Sequence, residues 1–438
     1  MSSPSPIVLS RLGVSEAARR IREGTVSPVD LVDACLARID QLDGRLHAWV
    51  HVDAEGARTT ARERAAEARA GHIRGPLHGV PIGVKDIVDV TGMPTTGGAR
   101  PWAHTRPTAD ATAVARLRAA GAIVLGKTAT TEFAYRDPAP TRNPWNLDHT
   151  PGGSSSGSGA AVGARMVPLA LGSQTVGSVL RPAAYCGVVG VKGTHGLVPV
   201  DGVIALAWSL DHVGVLARTV ADAALGLGIM AGRLFGPEVS APPRLAFASE
   251  LVARAEPALA ASLRAAADLF ARAGAHVTEV KLPRSFAEHA AAGLLVLEAE
   301  AAAYHDEAYA KHAAEFGKEI RALVETGRQR TATAYVKANR ARLRFRDDVM
   351  ELLAGHHALI SPTAPAPAPP GLAWTGDATL CAPWSYAGVP SITLPSGLSS
   401  AGLPLAVQLT SAAGAEESMF SAAAWCENVL KFSAAPTL

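Results

Sequence analysis

From about residue 79 onward, short apolar runs alternate with glycine-rich turns and helical segments. Ala122-Ile-Val-Leu125 reads as a buried strand behind a helix over Asp110 to Ala120. Leu245-Ala-Phe-Ala248, a helix from about Glu256 to Ala273, and Ala275-His-Val-Thr-Glu-Val280 form a βαβ-like unit. Strands joined through helices pair side by side, and the helices come to lie on the sheet's faces. The expected fold is therefore α/β: a central mixed, largely parallel β-sheet covered by helices on both faces. Hydrophobic residues are 48% of the chain, ample for a core of that kind.

The rest of the chain attaches to this centre. Ser27-Pro28-Val29-Asp30 reads as a helix start: Ser27 caps, Pro28 suits the first turn, and Asp30 completes a capping box. Val32, Cys35, Leu36, Ile39 and Leu42 continue at helical spacing until Gly44. A more polar helix spans about Ala54 to Ala70 and stops at Gly71. This N-terminal pair is expected to pack on the outside of the main fold. Residues 286–356 are almost continuously helical in composition and read as a helical cap over a pocket. Leu359 to Pro370 reads as a strand entering a proline-stiffened loop. Ser391-Ile-Thr-Leu394 and Leu405-Ala-Val-Gln-Leu409 read as late strands, and about Glu416 to Lys431 as a last helix. Without repeats or a long linker, the expectation is a single domain over 1–438. Its parts are N-terminal helices (1–72), a core (73–285), a helical cap region (286–356) and C-terminal core strands with a helix (357–438).

Charge excludes some partners. Lys and Arg total 41 against 39 Asp and Glu, which offers no basic surface for nucleic acid. Cys35, Cys186, Cys381 and Cys426 form no CxxC pair, so they read as buried free thiols rather than metal or redox sites. Free thiols fit a reducing compartment, and the expected location is cytoplasmic. Met1 to Val8 shows no basic patch followed by an apolar run, so no signal peptide is expected. No uncharged apolar stretch reaches about 18 residues, so no membrane helix is expected.

Two familiar patterns are decoys. Gly121-Ala-Ile-Val-Leu-Gly-Lys-Thr128 fits the phosphate-binding expression GxxxxGK[ST], but its four intervening residues are themselves the apolar strand. Gly153-Ser-Ser-Ser-Gly157 fits the nucleophile-elbow expression GxSxG, which needs a strand immediately before it. The preceding Asn143 to Pro151 is turn-like instead.

More telling is a joint occurrence. Val80, Ile82 and Val84 alternate like strand positions and end at Lys85, where partial desolvation lowers an amine's pKa. Two Gly/Ser-rich stretches follow, Pro151-Gly-Gly-Ser-Ser-Ser-Gly-Ser158 and Gly172-Ser-Gln-Thr-Val-Gly-Ser-Val-Leu-Arg-Pro182. Together they offer serine nucleophiles, a base, and loose backbone to hold an oxyanion. Taken singly, each reads as a capping loop or a surface lysine, and the residues alone do not choose among Ser154, Ser155 and Ser156.

These pieces resemble the amidase signature family of Ser-Ser-Lys hydrolases. The resemblance covers roughly residues 10–430. It rests on GVPIGVKD around Lys85, NPWN at 143–146, PGGSSSGS at 151–158, GSQTVGSVLRPAAYCGVVGVK at 172–192 and the Ser361-Pro-Thr363 strand end. It implies an amidase-signature-like fold, Ser178 as nucleophile, Ser154 as bridging serine after a cis peptide at Gly153, and Lys85 as general base. The oxyanion hole maps to the backbone of Thr175, Val176, Gly177 and Ser178. Arg181 lies near such a site, as a substrate-binding residue or in a structural salt bridge. Trp208, Trp384 and Tyr386 are candidate apolar wall residues, with ordinary packing as the competing role. Asp86, Asp211, His195 and His212 read as loop hydrogen-bonding residues.

The sequence departs from that family where Val176 replaces a usual glycine and Gly193 a usual proline; Gln174 stands where many members have Asp. A valine at positive φ would be strained. The resemblance implies hydrolysis of a small-molecule amide, or a carbamate or ester by the same acyl chemistry. Neither cofactor nor metal is required, and no nucleic acid or membrane partner is expected. An amidotransferase A-type subunit and a non-catalytic binding protein remain alternatives, and oligomeric state stays open, a homodimer being one option.

Overall fold

The computed structural model describes residues 9–99, 102–236 and 241–438. The first eight residues, read above as carrying no leader, lie outside them.

Eleven strands form one sheet. In chain order they are β1 (Trp49–Val52), β2 (Pro81–Lys85), β3 (Ile123–Thr128), β4 (Leu169–Gln174), β5 (Val189–Lys192), β6 (His212–Ala217), β7 (Arg244–Phe247), β8 (His276–Glu279), β9 (Ala358–Pro362), β10 (Ser391–Leu398) and β11 (Pro404–Thr410). Across the sheet they run β1-β3-β2-β4-β6-β5-β10-β11-β9-β7-β8. The sheet is mixed and flanked by helices, as expected. Parallel pairing is nevertheless the minority, confined to β2 with β3 and β4 and to β7 with β8 and β9. The other pairings are antiparallel, and of these only β10 and β11 are joined directly by a short turn.

The helix start at Ser27 is real. Its hydroxyl accepts from Val29 N–H at 3.2 Å, and the helix runs Pro28–Leu46. Gly44 does not end it. The stop comes at His47 in a left-handed conformation, after Leu46 has been buried. The N-terminal segment also does more than pack outside: Trp49–Val52, unnoticed in the sequence, adds β1 antiparallel to β3 at the sheet edge.

One apolar cluster fills the space between the sheet and its flanking helices. A second joins the β7–β9 side of the sheet to a helical block made of His289–His312, Lys318–Arg328 and Ala332–Leu353. That block falls within residues 286–356, the segment read above as a helical cap region. Among the described residues no helix is long and apolar enough to cross a membrane.

Candidate active site

β2 lies third from one edge of the sheet, parallel to both neighbours, and all five of its residues are buried. Lys85 ends it beside Thr128, the last residue of β3, and Val84 pairs with Leu171 of β4. Three parallel strands therefore finish at one edge. The chain leaves each near residues 86, 129 and 175 at that same edge, where the carboxyl ends of parallel strands usually meet a ligand.

The serine loops close over this edge. Lys85 Nζ lies 2.7 Å from Ser154 Oγ and 2.8 Å from Ser173 Oγ. The Gly153–Ser154 peptide is cis. Thr131 N–H donates to the Ser154 carbonyl at 3.2 Å, and Ser155 N–H donates to the Ser178 carbonyl at 3.3 Å, tying the two serine loops together. The helix Ser156–Gly163 approaches β1 and β3 so closely that a Cβ on Gly157 would fall 2.1 Å from the Ala48 carbonyl oxygen. Lys85 and Ser154 are fully buried, whereas Ser178 keeps 8% of its surface exposed and is the one of the three that faces out.

Burial governs the electrostatics. It lowers the Lys85 amine to about 7, and the nearby Asp211 carboxylate opposes part of that shift. Asp211 is itself raised to about 6 by burial, against the stabilising bonds from Thr175 and from the Leu206 and Ala207 N–H groups. Those bonds are 2.6 Å from Thr175 Oγ1 and 2.9 and 3.0 Å from the two amides. Asp211 thus anchors the first residue of the Thr175–Ser178 turn. His212 and His195 keep to backbone carbonyls, of Gln174 and Trp208 respectively.

Val176 does not occupy a left-handed conformation, so the valine carries no backbone strain of the kind foreseen. Gly193 leaves no loose loop either: Thr194 is held through its N–H on Glu416 and its hydroxyl on Gly414 N–H.

The decoys resolve as strand and helix start. Lys127 lies within β3 and is fully buried, 3.1 Å from the equally buried Asp86. Asp86 is thus an ion-pair partner as well as a hydrogen-bonding residue. Ser155, the elbow candidate, exchanges hydrogen bonds with the Ser173 backbone.

Arg181 is buried and, among the described residues, has no carboxylate in ion-pair contact. Its guanidinium donates to the Gly153 and Gly376 carbonyls at 2.6 Å and to Thr375 Oγ1 at 3.2 Å. The salt bridge considered for it is not what holds it. Trp384 is fully buried against Phe286, ring centroids 5.6 Å apart, and Tyr386 packs over Gly293. Trp208 sits 43% exposed on its loop. A cavity of about 640 Å³ elsewhere on the chain is lined by Trp102, Phe133, Tyr304 and His305 together with the charged Asp89 and Lys311, and by none of Lys85, Ser154 and Ser178. None of the three aromatic candidates lines it. Trp384 and Tyr386 are large apolar side chains in a helical turn, and the helical block claimed them for packing.

Phe133 lies two residues after Thr131, and both Phe133 and Ala134 hold positive φ, a cost that packing around this loop must sustain. Ser173 was missed because only the β2–β4 register brings it to Lys85. The one sequence signal was its place at the end of an apolar run just before the Thr175 turn.

The sequence model of amidases matches residues 30–420. The chain belongs to the amidase family. Among its amidase relatives is the A-type subunit of glutamyl-tRNA(Gln) amidotransferase from Roseiflexus sp. (strain RS-1), 34% identical over 94% of this chain and 95% of that protein. The native peptide amidase of Stenotrophomonas maltophilia superimposes with a TM-score of 0.84 at 31% identity, covering 97% of this chain and 98% of its own. A 6-aminohexanoate cyclic dimer hydrolase superimposes at 0.86 with 26% identity, covering 98% and 99%.

Proposed function

We propose that this amidase-family hydrolase opens amide bonds through an acyl-enzyme on Ser178, with Ser154 relaying the proton to Lys85. The observation that carries the reading is the 2.7 Å contact between Ser154 Oγ and an amine brought to about 7 by burial. A serine hydroxyl is a weak nucleophile until a base takes its proton. Neutral Lys85 accepts the Ser154 proton as Ser154 Oγ accepts that of Ser178. Ser178 Oγ then bonds to the carbonyl carbon, and backbone N–H groups of the 175–178 turn hold the oxyanion; one such donor is typically worth about 2.7–4 kcal/mol. Collapse breaks the carbon–nitrogen bond while the relay returns a proton to the leaving nitrogen. Water releases the acyl group by the reverse path. Carbamates and esters fit the same steps.

The test is a fluorophosphonate probe together with a panel of aryl amides, aliphatic amides, dicarboxylic monoamides and carbamates. Labelling at Ser178, and loss of turnover by several orders of magnitude in Ser178→Ala and Lys85→Ala, are expected. Retained turnover in folded Ser178→Ala would defeat the assignment.

The full-length similarity to an amidotransferase chain supports a second reading, in which the same chemistry releases ammonia from glutamine for a partner. Co-purification with two further subunits, and glutaminase activity that depends on them, would favour it.

A further inference from the structure

The carbonyl of Val176 accepts a hydrogen bond from Ser385 Oγ at 2.7 Å. Ser385 sits fully buried on the short helix Ala382–Tyr386, some two hundred residues further along the chain. Its hydroxyl in turn accepts from Gln174 Nε2 at 3.0 Å. The other end of the Gln174 amide fixes that direction: Oε1 accepts from the N–H groups of both Val179 and Leu180 at 2.9 Å, so the opposite end must be the donor. A serine hydroxyl has one proton. With Gln174 donating to its oxygen, that proton is committed to the Val176 carbonyl.

The consequence lies one atom further on. In a trans peptide the C=O and the following N–H point to opposite sides. Gly153–Ser154 is the only cis peptide among the described residues, so the Val176–Gly177 peptide is trans. Holding the Val176 oxygen on Ser385 therefore turns the Gly177 N–H the other way. Among the described residues, the N–H groups of Val176, Gly177 and Ser178 have no acceptor, whereas those of Val179, Leu180 and Arg181 are all taken. Gln174 thus occupies the donors just past Ser178 and, through Ser385, aims one just before it.

We propose that Ser385 is a positioning residue for the oxyanion hole: its hydroxyl, oriented by Gln174, sets the Val176–Gly177 peptide so that the Gly177 N–H meets the oxyanion formed when Ser178 attacks. The proposal rests on the acyl-enzyme reading above.

The test is the second-order rate at which a fluorophosphonate probe labels Ser178, alongside kcat and KM for the best amide of the panel. Ser385→Ala should label about ten- to hundredfold more slowly, the scale on which a misplaced catalytic group acts. Its kcat should fall by a similar factor with KM little changed. Ser385→Thr, which keeps the hydroxyl, should restore most of the rate. Gln174→Glu should reproduce the Ser385→Ala defect at pH 9, since an ionised carboxylate cannot donate to Ser385 and competes for its proton. Wild-type labelling by folded Ser385→Ala, or a defect lying wholly in KM, overturns the proposal. If Ser385→Ala does not fold, Gln174→Glu decides in the same way. Failure of the underlying reading looks different: wild-type protein unlabelled at Ser178, or Ser178→Ala still active.

Discussion

Arg181 donates to the carbonyl of Gly153 at 2.6 Å, so a guanidinium three residues beyond Ser178 props the residue immediately before Ser154. The same side chain reaches Gly376 and Thr375, and so pins a third loop to the first two. Arg181→Met should therefore lower kcat/KM by about a hundredfold, the usual scale of loss when a reacting group shifts by about 1 Å. Melting temperature should fall as well, because two buried carbonyls lose their donor. A folded Arg181→Met with wild-type kcat/KM would show that the loops hold without it.

The pH dependence follows from Lys85. As the proposed base its amine must be neutral, and burial places it at about 7, so kcat/KM should rise through neutral pH and level off above it. The Asp211 carboxylate favours the charged ammonium. Removing that charge in Asp211→Asn should lower the amine further and move the acid limb to lower pH. The rate should also drop, since Thr175 loses an anchor. A pH–rate profile of the variant whose limb moves upward, or a wild-type profile flat from pH 5 to 9, would contradict the assignment of Lys85 as the base.

Lys127 and Asp86 form an ion pair with both side chains fully buried. Lys127→Met leaves the Asp86 carboxylate without its charge partner and should cost about 3–5 kcal/mol of stability in urea unfolding. ATP should stabilise neither protein, because the GxxxxGK[ST] match is strand rather than phosphate loop. A variant as stable as wild type would mean that Thr96, which also bonds Asp86, is enough for the carboxylate.

Val176 is half-buried, packs beside the second apolar cluster and does not use a left-handed backbone. Val176→Gly should therefore relieve no strain and should cost about 1 kcal/mol through added freedom of the unfolded chain. Assayed on the amide panel, it should accept bulkier acyl groups if the valine narrows the pocket. An unchanged panel would leave the side chain with a packing role alone.

Much of this was legible in the chain. Helix and strand periods located β2, β3, the β7–β8 unit, the helical block and the last helix, because each depends on residues close in sequence. β1 was missed, being four residues squeezed between two helices. The preference for parallel pairing was overestimated, since pairing direction depends on where a connection leads and not on the strand itself. Lys85 at a strand end was readable from alternation. Ser154 over Ser155 or Ser156 needed a family resemblance, because three adjacent hydroxyls are chemically alike.

The amino-acid order alone indicated most of the local helices, strands and turns, and offered Lys85 and the serine-rich stretches as candidates for the proposed base and nucleophile. Only the folded chain decided that Ser173 and Ser154 share one amine, that Arg181 serves backbone carbonyls, and that Ser385 meets Val176. Those contacts join residues from 28 to more than 200 positions apart. Strand register and loop closure set such distances, and neither is written in any local stretch of sequence.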